Sequence, residues 1–288
     1  MPLRIENAID LHCHFGPDAV GTIVTDASAP SPLENAKGAR DSGHAAIVLK
    51  SHSFPSMQLA AEVERQTPGI RVFGGICTDQ ATGGLNPDAV ATALRLGAKI
   101  VWLPTINSHQ DWLNGRAQVF DIRGEGLRVV DEAGAPLPLV REIFDLVRQH
   151  DAILATGHVT AAEHYAVIKA FAREGRLLVT HAGEPQAGPR LTPEQCRELA
   201  ELGATIELCA YSCGAHHGAA ISHADMARMI RTIGCAHCVL ATDYGFSRSH
   251  AEPAAGFREF MEQLWAEGIT EAELTQMAAA RPAELLGL

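Results

Sequence analysis

Two histidines at alternate positions near the start of the chain are the first residues whose type and spacing could support chemistry. They stand in the segment Asp10-Leu11-His12-Cys13-His14, at the end of a predicted β-strand. Alternate side chains of a strand share a face, so His12 and His14 point the same way and Cys13 points the opposite way. Two imidazoles at a strand end make half of a metal site. Core histidines bonded to backbone carbonyls have the same pattern, so further ligands must decide between the two interpretations.

Three other predicted strand ends supply such ligands. His158 follows Thr156-Gly157, His181 follows Val179-Thr180, and Asp243 follows Ala241-Thr242. In a closed barrel of parallel strands all carboxyl ends meet at one mouth, so these residues can surround a single point. Imidazoles and a carboxylate are ligands that Zn²⁺ and other divalent first-row metals accept. For Asp243 the structural alternative is an N-cap of the loop 244–247.

The elements that must position these residues alternate regularly from end to end. Short β-branched runs alternate with helical patterns, which predicts eight strand-helix units in a single (β/α)8 barrel domain over residues 1–288, with an insertion of about thirty residues after strand four. Within it, 126–137 resembles a short hairpin that we expect over the barrel mouth. The predicted strands are Ala8–His14, Ala45–Lys50, Arg71–Ile76, Lys99–Leu103, Ala152–Thr156, Leu177–His181, Thr205–Cys209 and Cys238–Asp243.

Composition narrows the class of protein. The 288 residues are 47% hydrophobic and 20% charged, as in a globular chain rather than a disordered or collagen-like one. A formal net charge of -11 argues against a nucleic-acid partner. No stretch reaches the roughly 18 apolar residues of a membrane helix, so we expect a cytoplasmic protein with no membrane partner. The seven cysteines are an odd number and fit reduced thiols better than a disulfide framework.

The order His12-x-His14, His158, His181 and Asp243 across a predicted (β/α)8 chain resembles the amidohydrolase superfamily of metal-dependent hydrolases. The resemblance spans nearly the whole chain, including the terminal segment 280–288, and its nearest likeness is to a little-characterised branch, which carries the segments 48–52 and 241–245. It implies that His12, His14 and Asp243 bind the metal, with His158 and His181 as further ligands or water-orienting groups. It also implies that Asp243 acts as general base and that His181 polarises the substrate carbonyl or anchors the water.

One departure from the superfamily pattern concerns the metal count. Two-metal members usually carry a carboxylated lysine or a glutamate at the end of strand four, where this chain has the segment 101–105, VWLPT. Lys50 stands instead at the end of strand two, with His52 on the same face. Three interpretations stay open for Lys50: a carboxylated lysine that bridges two metals, a contact to substrate, or an ordinary solvated lysine. One or two ions, Zn²⁺ above all, are therefore expected.

Other polar residues are weaker candidates. Glu207 on strand seven either orients a ligand or fills the barrel interior. Two loop histidines, His216 and His217, either line the mouth or lie exposed in solvent. Three arginines in predicted mouth loops either bind a substrate carboxylate or remain solvated, namely Arg116, Arg123 and Arg190.

These features favour an enzyme. The leading hypothesis is hydrolysis of a C–N or C–O bond in an amide, lactam or lactone of a small molecule by metal-activated water. The alternatives are a metal-dependent nonhydrolytic decarboxylase of the same superfamily and a noncatalytic metal- or ligand-binding barrel. No nucleotide cofactor is predicted, because no Gly-x-Gly-x-x-Gly or P-loop lysine follows a strand. Homo-oligomer formation is left open.

Overall fold

The computed structural model describes residues 3, 5–25, 28–171, 175–214, 221–247 and 252–288. Eight strands in these residues form one sheet in which each strand pairs in parallel with the next along the chain. They are β1 (Ile9–Cys13), β2 (Ala46–Leu49), β3 (Arg71–Cys77), β4 (Ile100–Trp102), β5 (Ile153–Ala155), β6 (Arg176–Val179), β7 (Thr205–Cys209) and β8 (Cys238–Ala241). The predicted (β/α)8 barrel is confirmed.

Helices alternate with the strands. They are Pro32–Asp41, Met57–Gln66, Pro87–Arg95, His109–Leu113, Pro138–Gln149, Ala161–Phe171, Pro193–Glu201, His223–Ile233, Pro253–Ala266, Glu271–Thr275 and Arg281–Leu286. Short 3-10 helices span Gln80–Thr82, Ala210–Cys213 and Cys235–His237, and a π-helical turn spans Gln276–Ala280. Three of these helices begin after N-cap residues that proline follows, Ser31, Asn86 and Thr192, and each cap side-chain oxygen accepts a backbone N–H of the first turn.

Alternation along the strands divides the apolar residues into two layers. On β4, Ile100 and Trp102 belong to a cluster built from seven strands, which is the barrel interior, whereas Val101 packs in the outer layer with the helices. Trp102 is fully buried. Gly75 on β3 makes room for it, because a Cβ there would collide with the Trp102 ring and the Ile100 carbonyl. The interior is thus filled below the mouth, where the candidate site lies.

The barrel closes at a seam between β1 and the end of β8. The Asp243 N–H donates to the His12 carbonyl at 2.8 Å, and the His14 N–H donates to the Tyr244 carbonyl at 2.8 Å. Several strands end one or two residues earlier than predicted: β2 ends at Leu49, β6 at Val179 and β8 at Ala241. Their candidate residues, Lys50, His181 and Asp243, are therefore the first or second residues beyond the strand.

Candidate metal centre and substrate cavity

A β-bulge in β1 turns its two histidines toward the mouth. The Cα partners on β2 run Asp10 to Ile47 and then Cys13 to Leu49, so Leu11 and His12 together oppose one residue. Leu11 lies in the barrel interior. Without the extra residue, alternation would place His12 on the outer face. The bulge lets Leu11 and His12 both point inward, and His14 follows His12.

His12, His14 and Asp243 form a compact group at the seam. Asp243 Oδ1 lies 2.9 Å from His12 Nε2 and 3.0 Å from His14 Nε2, and the two Nε2 atoms are 3.2 Å apart. All three residues are buried. Donor atoms that surround one ion at about 2.0–2.2 Å lie roughly 3 Å from each other. The three atoms therefore have the spacing of ligands to a single metal ion.

His158 and His181 form a second pair beside this group. Their Nε2 atoms are 2.9 Å apart, and the rings of His181 and His12 have centroids 5.9 Å apart. Both residues are buried, and both line the same cavity as Asp243. The structure therefore brings together all the histidines that the sequence placed at strand ends, together with Asp243.

Two carboxylates orient histidine rings of the site through their Nδ1 atoms, on the side away from Nε2. Glu207 Oε2 lies 3.1 Å from His12 Nδ1 and accepts the His181 N–H at 2.9 Å. Asp111 Oδ2 lies 2.6 Å from His158 Nδ1. Sequence reasoning missed Asp111, which lies in the helix His109–Leu113 of the insertion. When a carboxylate accepts a hydrogen bond from Nδ1–H of a neutral histidine, the Nε2 atom keeps its lone pair and can bind a metal, as in known metal sites.

The group fits a cation by the chemistry of its donors. With Nδ1–H donated to Glu207, the His12 Nε2 lone pair faces the Asp243 carboxylate. The His158 Nε2 lone pair likewise faces His181. Acceptors so close together repel each other unless a proton or a metal ion lies between them. An N/O set of this kind suits Zn²⁺ and similar divalent ions.

The pKa values reflect this crowding. Burial disfavours the charged ring of His12, but the carboxylates of Asp243 and Glu207 together outweigh it and raise the pKa of His12 to about 9. Burial lowers the pKa of His14 well below its ordinary value and that of His158 to about 3. Burial opposes ionisation of Asp243, yet His12 holds the pKa of that carboxyl well below its usual range. Apart from His12, these histidines are thus neutral and Asp243 is charged, the states that bind metal.

The backbone at two candidate residues lies in the left-handed region. Asp243 has φ of 56° and His181 has φ of 25°. Such conformations cost about 1–3 kcal/mol for residues other than glycine and concentrate at functional sites. Hydrogen bonds from the Asp243 N–H to the His12 carbonyl and from the His181 N–H to Glu207 stabilise them.

Lys50 points into the site from the end of β2. Only 1% of its surface is exposed, which excludes the solvated lysine among the three interpretations. Its Nζ lies 2.9 Å from His12 Nε2 and 5.6 Å from the centroid of the Trp102 ring. Trp102 thus occupies the interior position at the end of β4, where two-metal members of the superfamily usually carry a carboxylated lysine or a glutamate. Lys50 Nζ lies over the Trp102 ring.

His52 is a cavity residue to which the sequence assigned no role. Its Nδ1 lies 2.7 Å from Thr105 Oγ1, and the Thr105 hydroxyl donates to Asp79 Oδ2. Asp79 Oδ1 also accepts the backbone N–H of Thr105 at 2.8 Å and of Asn107 at 3.1 Å. Since the Thr105 proton is taken by Asp79, His52 Nδ1 must donate to Thr105. His52 Nε2 is then a hydrogen-bond acceptor on the cavity wall. His52 and Asp79 also form a possible metal-ligand group with Cys77, but these hydrogen bonds already engage both.

A cavity of about 520 Å³ lies above the site and is lined by Lys50, His52, His158, His181 and Asp243 among others. A two-stranded hairpin after β1, Ala19–Val20 and Ile23–Val24, forms one wall, and the ring of Phe246 stacks on His14 at 3.8 Å between centroids. The hairpin was not predicted, although Gly21-Thr22 between two short apolar pairs is a turn signal.

The insertion after β4 contributes differently from the prediction. Its first half lines the cavity through Ile106, Arg116, Val119 and Phe120, whereas none of residues 126–137 does. The predicted hairpin turn within 126–137 exists, with a bridge between Val130 and Pro136, but it forms no part of the cavity wall.

Of the three arginines predicted in mouth loops, the structure places only Arg116 at the main cavity. Arg116 lines the main cavity, but Arg123 does not, and Arg190 lines a separate small cleft beside Gly157. His216 and His217 lie outside the described residues. No helix in the described part of the chain is both long and apolar enough to cross a membrane.

Comparison with known families gives one match. The model of a family of unknown function, DUF6282, matches residues 7–207. A search of the curated proteins found no match.

Solved structures with the same fold include an amidohydrolase from Pseudomonas aeruginosa, at 12% identity and TM-score 0.67, covering 98% of this chain and 95% of that one. A 2,6-dihydroxybenzoate decarboxylase from Rhizobium matches at 12% identity and TM-score 0.60, over 99% of both chains. A metallo peptidase from Rhodobacter sphaeroides matches at 14% identity and TM-score 0.61, over 98% of this chain and 99% of that one. These neighbours are amidohydrolase-superfamily proteins, so the resemblance drawn from the motifs is confirmed at the level of the fold.

Proposed function

The chain belongs to the DUF6282 family, and we propose that it is a metal-dependent hydrolase that cleaves a C–N or C–O bond in an amide, lactam or lactone of a small molecule. One observation carries the proposal. His12 Nε2, His14 Nε2 and Asp243 Oδ1 lie within 3.2 Å of one another, and Asp243 lines a cavity large enough for a small molecule.

In this proposal His12, His14 and Asp243 hold a divalent ion, with Zn²⁺ as first choice. His158 and His181 are further ligands or orient water. When bound, the ion lowers the pKa of water and polarises a carbonyl group. Lys50 either contacts the substrate or, if carboxylated, bridges to a second ion.

The residues of the chain handle the proton. Asp243 takes one proton from the attacking water, the hydroxide adds to the carbonyl carbon, and Asp243 then returns the proton to the leaving nitrogen or oxygen. His181 stabilises the developing negative charge on the carbonyl oxygen or holds the water. His52 Nε2 accepts a hydrogen bond from the substrate, because its other nitrogen is committed to Thr105.

The first experiment measures metal and reaction together. Protein treated with chelator and reloaded with Zn²⁺ is analysed for metal by mass spectrometry and assayed on amides, lactams and lactones beside aromatic and enol carboxylic acids. We expect stoichiometric zinc and hydrolysis that depends on it. Release of CO2 from the acids alone would favour the decarboxylase. Stoichiometric metal without turnover would favour the noncatalytic barrel, and absence of metal would contradict both enzyme hypotheses.

The variant Asp243→Asn tests the proton role. The amide keeps an oxygen ligand but is a poor base, so we expect turnover to fall by about a thousandfold or more while zinc content falls much less. The matched control is His237→Ala, an exposed histidine at the opposite end of β8. Equal turnover in Asp243→Asn and the parent protein would exclude Asp243 as the base.

A further inference from the structure

The polar groups on the cavity wall differ in how fully they are engaged. Glu184 Oε2 accepts the Ser212 hydroxyl at 2.6 Å, and Glu184 Oε1 accepts the Gln186 N–H at 3.0 Å. Asp243 faces His12 and His14, and Lys50 Nζ faces His12. These groups leave little binding capacity for a charged part of the substrate.

Arg116 is the exception. Its backbone is anchored, because its N–H donates to the Asp111 carbonyl at 3.0 Å and its carbonyl accepts the Phe120 N–H at 2.9 Å. Among the residues that the structure describes, none accepts a hydrogen bond from its guanidinium and no carboxylate forms an ion pair with it. The half-buried guanidinium interacts with Asp111 only at longer range, so it brings a positive charge to the cavity wall with hydrogen-bond donors that no described residue engages.

The wall around this charge is apolar. Ile23 and Val24 of the hairpin are 51% and 72% exposed and line the cavity together with Val119. The hairpin is fixed to the insertion by the Thr22 N–H, which donates to the Val119 carbonyl at 3.0 Å. Exposed apolar side chains beside a binding cleft are typical of ligand contact.

We propose that Arg116 binds a carboxylate of the substrate, and hence that the substrate is a small organic acid with an apolar body. The planar guanidinium donates two parallel hydrogen bonds to a carboxylate, and its positive charge matches the negative charge of that group. The apolar body lies against the hairpin, and the bond to be cleaved lies toward Asp243. The catalytic part of this assignment rests on the proposed function, whereas the anion site does not.

Binding of benzoate and benzyl alcohol to zinc-loaded protein, measured by calorimetry, tests the proposal. The two probes share a ring and differ in charge. We expect benzoate to bind, and Arg116→Ala to weaken it at least about tenfold. Arg123→Ala is the matched control, because Arg123 lies exposed in the same insertion and does not line the cavity. Benzyl alcohol should bind equally weakly to all three proteins.

A repeat on chelator-treated protein separates Arg116 from direct binding of benzoate to the ion. The Arg116-dependent difference should persist without metal. Absence of benzoate binding, or equal affinity of Arg116→Ala and the parent protein, would overturn the inference. Arg116-dependent binding in a protein that takes up no zinc on reloading would sustain it and contradict the proposed function, so the two failures are distinguishable. The Arg116 side chain forms no hydrogen bond or ion pair with a described residue, so we expect Arg116→Ala and the parent protein to have equal melting temperatures.

Discussion

The two histidine pairs of the mouth are built in different ways. His12 and His14 leave a single strand, turned inward by a bulge, and Asp243 meets both at 2.9 and 3.0 Å. His158 and His181 leave two neighbouring strands, and the carboxylate that contacts a ring of this pair, Asp111, lies behind His158 at Nδ1.

From this difference we infer that the first pair binds the metal and the second pair acts on the substrate. The seam pair has a carboxylate on the side where its Nε2 atoms converge, so it completes a three-donor site within the barrel itself. The second pair has no such donor among the described residues and depends on the insertion, which also forms the cavity wall. We therefore expect the seam pair to determine metal affinity and the second pair to determine turnover.

The largest expected effect is on zinc affinity, and it differs between a variant of the first pair and a variant of the second. His14→Ala leaves only His12 and Asp243 as donors at the seam, so we expect zinc affinity to fall by more than about a hundredfold. His158→Ala leaves the three seam donors intact, so zinc affinity should change by less than about tenfold while turnover falls strongly. Competition with a chromophoric chelator measures both affinities, and His237→Ala is the control. Equal losses of zinc in both variants would mean that the pairs hold one ion jointly.

A smaller effect is expected from the carboxylates behind the rings. Glu207→Gln acts on His12 and should lower zinc affinity by about ten- to a hundredfold. Asp111→Asn acts on His158 and should lower turnover by a similar factor with zinc affinity retained. Titration of zinc and steady-state kinetics on both variants give the two numbers. The opposite assignment of effects would reverse the roles given to the pairs.

The smallest effect concerns His52, which lies between the pairs. Thr105→Val removes the acceptor of the His52 Nδ1 proton at nearly constant volume, so the ring is no longer fixed. We expect KM to rise by about three- to tenfold with zinc content unchanged. Thr78→Val, which removes a hydroxyl bonded to the Trp102 carbonyl, is the matched control. A change in zinc content would show that His52 belongs to the metal site.

The sequence predicted the strands and the residues at their ends because both signals are local. β-branched runs and capped helix starts depend on neighbouring residues, and a parallel barrel brings all strand ends together. The bulge at His12 carries no comparable signal, since neither Leu11 nor His12 is excluded from a regular strand.

Contacts between distant segments could not be predicted from patterns. Asp111 and His158 are 47 positions apart, and Glu207 and His12 are 195 apart, so no spacing connects them. The same holds for the cavity wall, where the first half of the insertion and not its hairpin contacts the site. Which part of a long loop faces a cavity depends on packing against other elements, here the docking of Thr22 on Val119.

The seam between β1 and β8 links the site to the integrity of the whole barrel. Asp10 and Thr242, which pair there, are 232 positions apart, so the seam ligands come within reach only after every intervening unit has taken its place in the ring. An ion that binds these ligands stabilises the closed barrel. Each tenfold excess of free ion over its dissociation constant adds about 1.4 kcal/mol to the free energy of opening. Occupancy of a site a few ångströms wide would then govern how often the barrel opens to proteases.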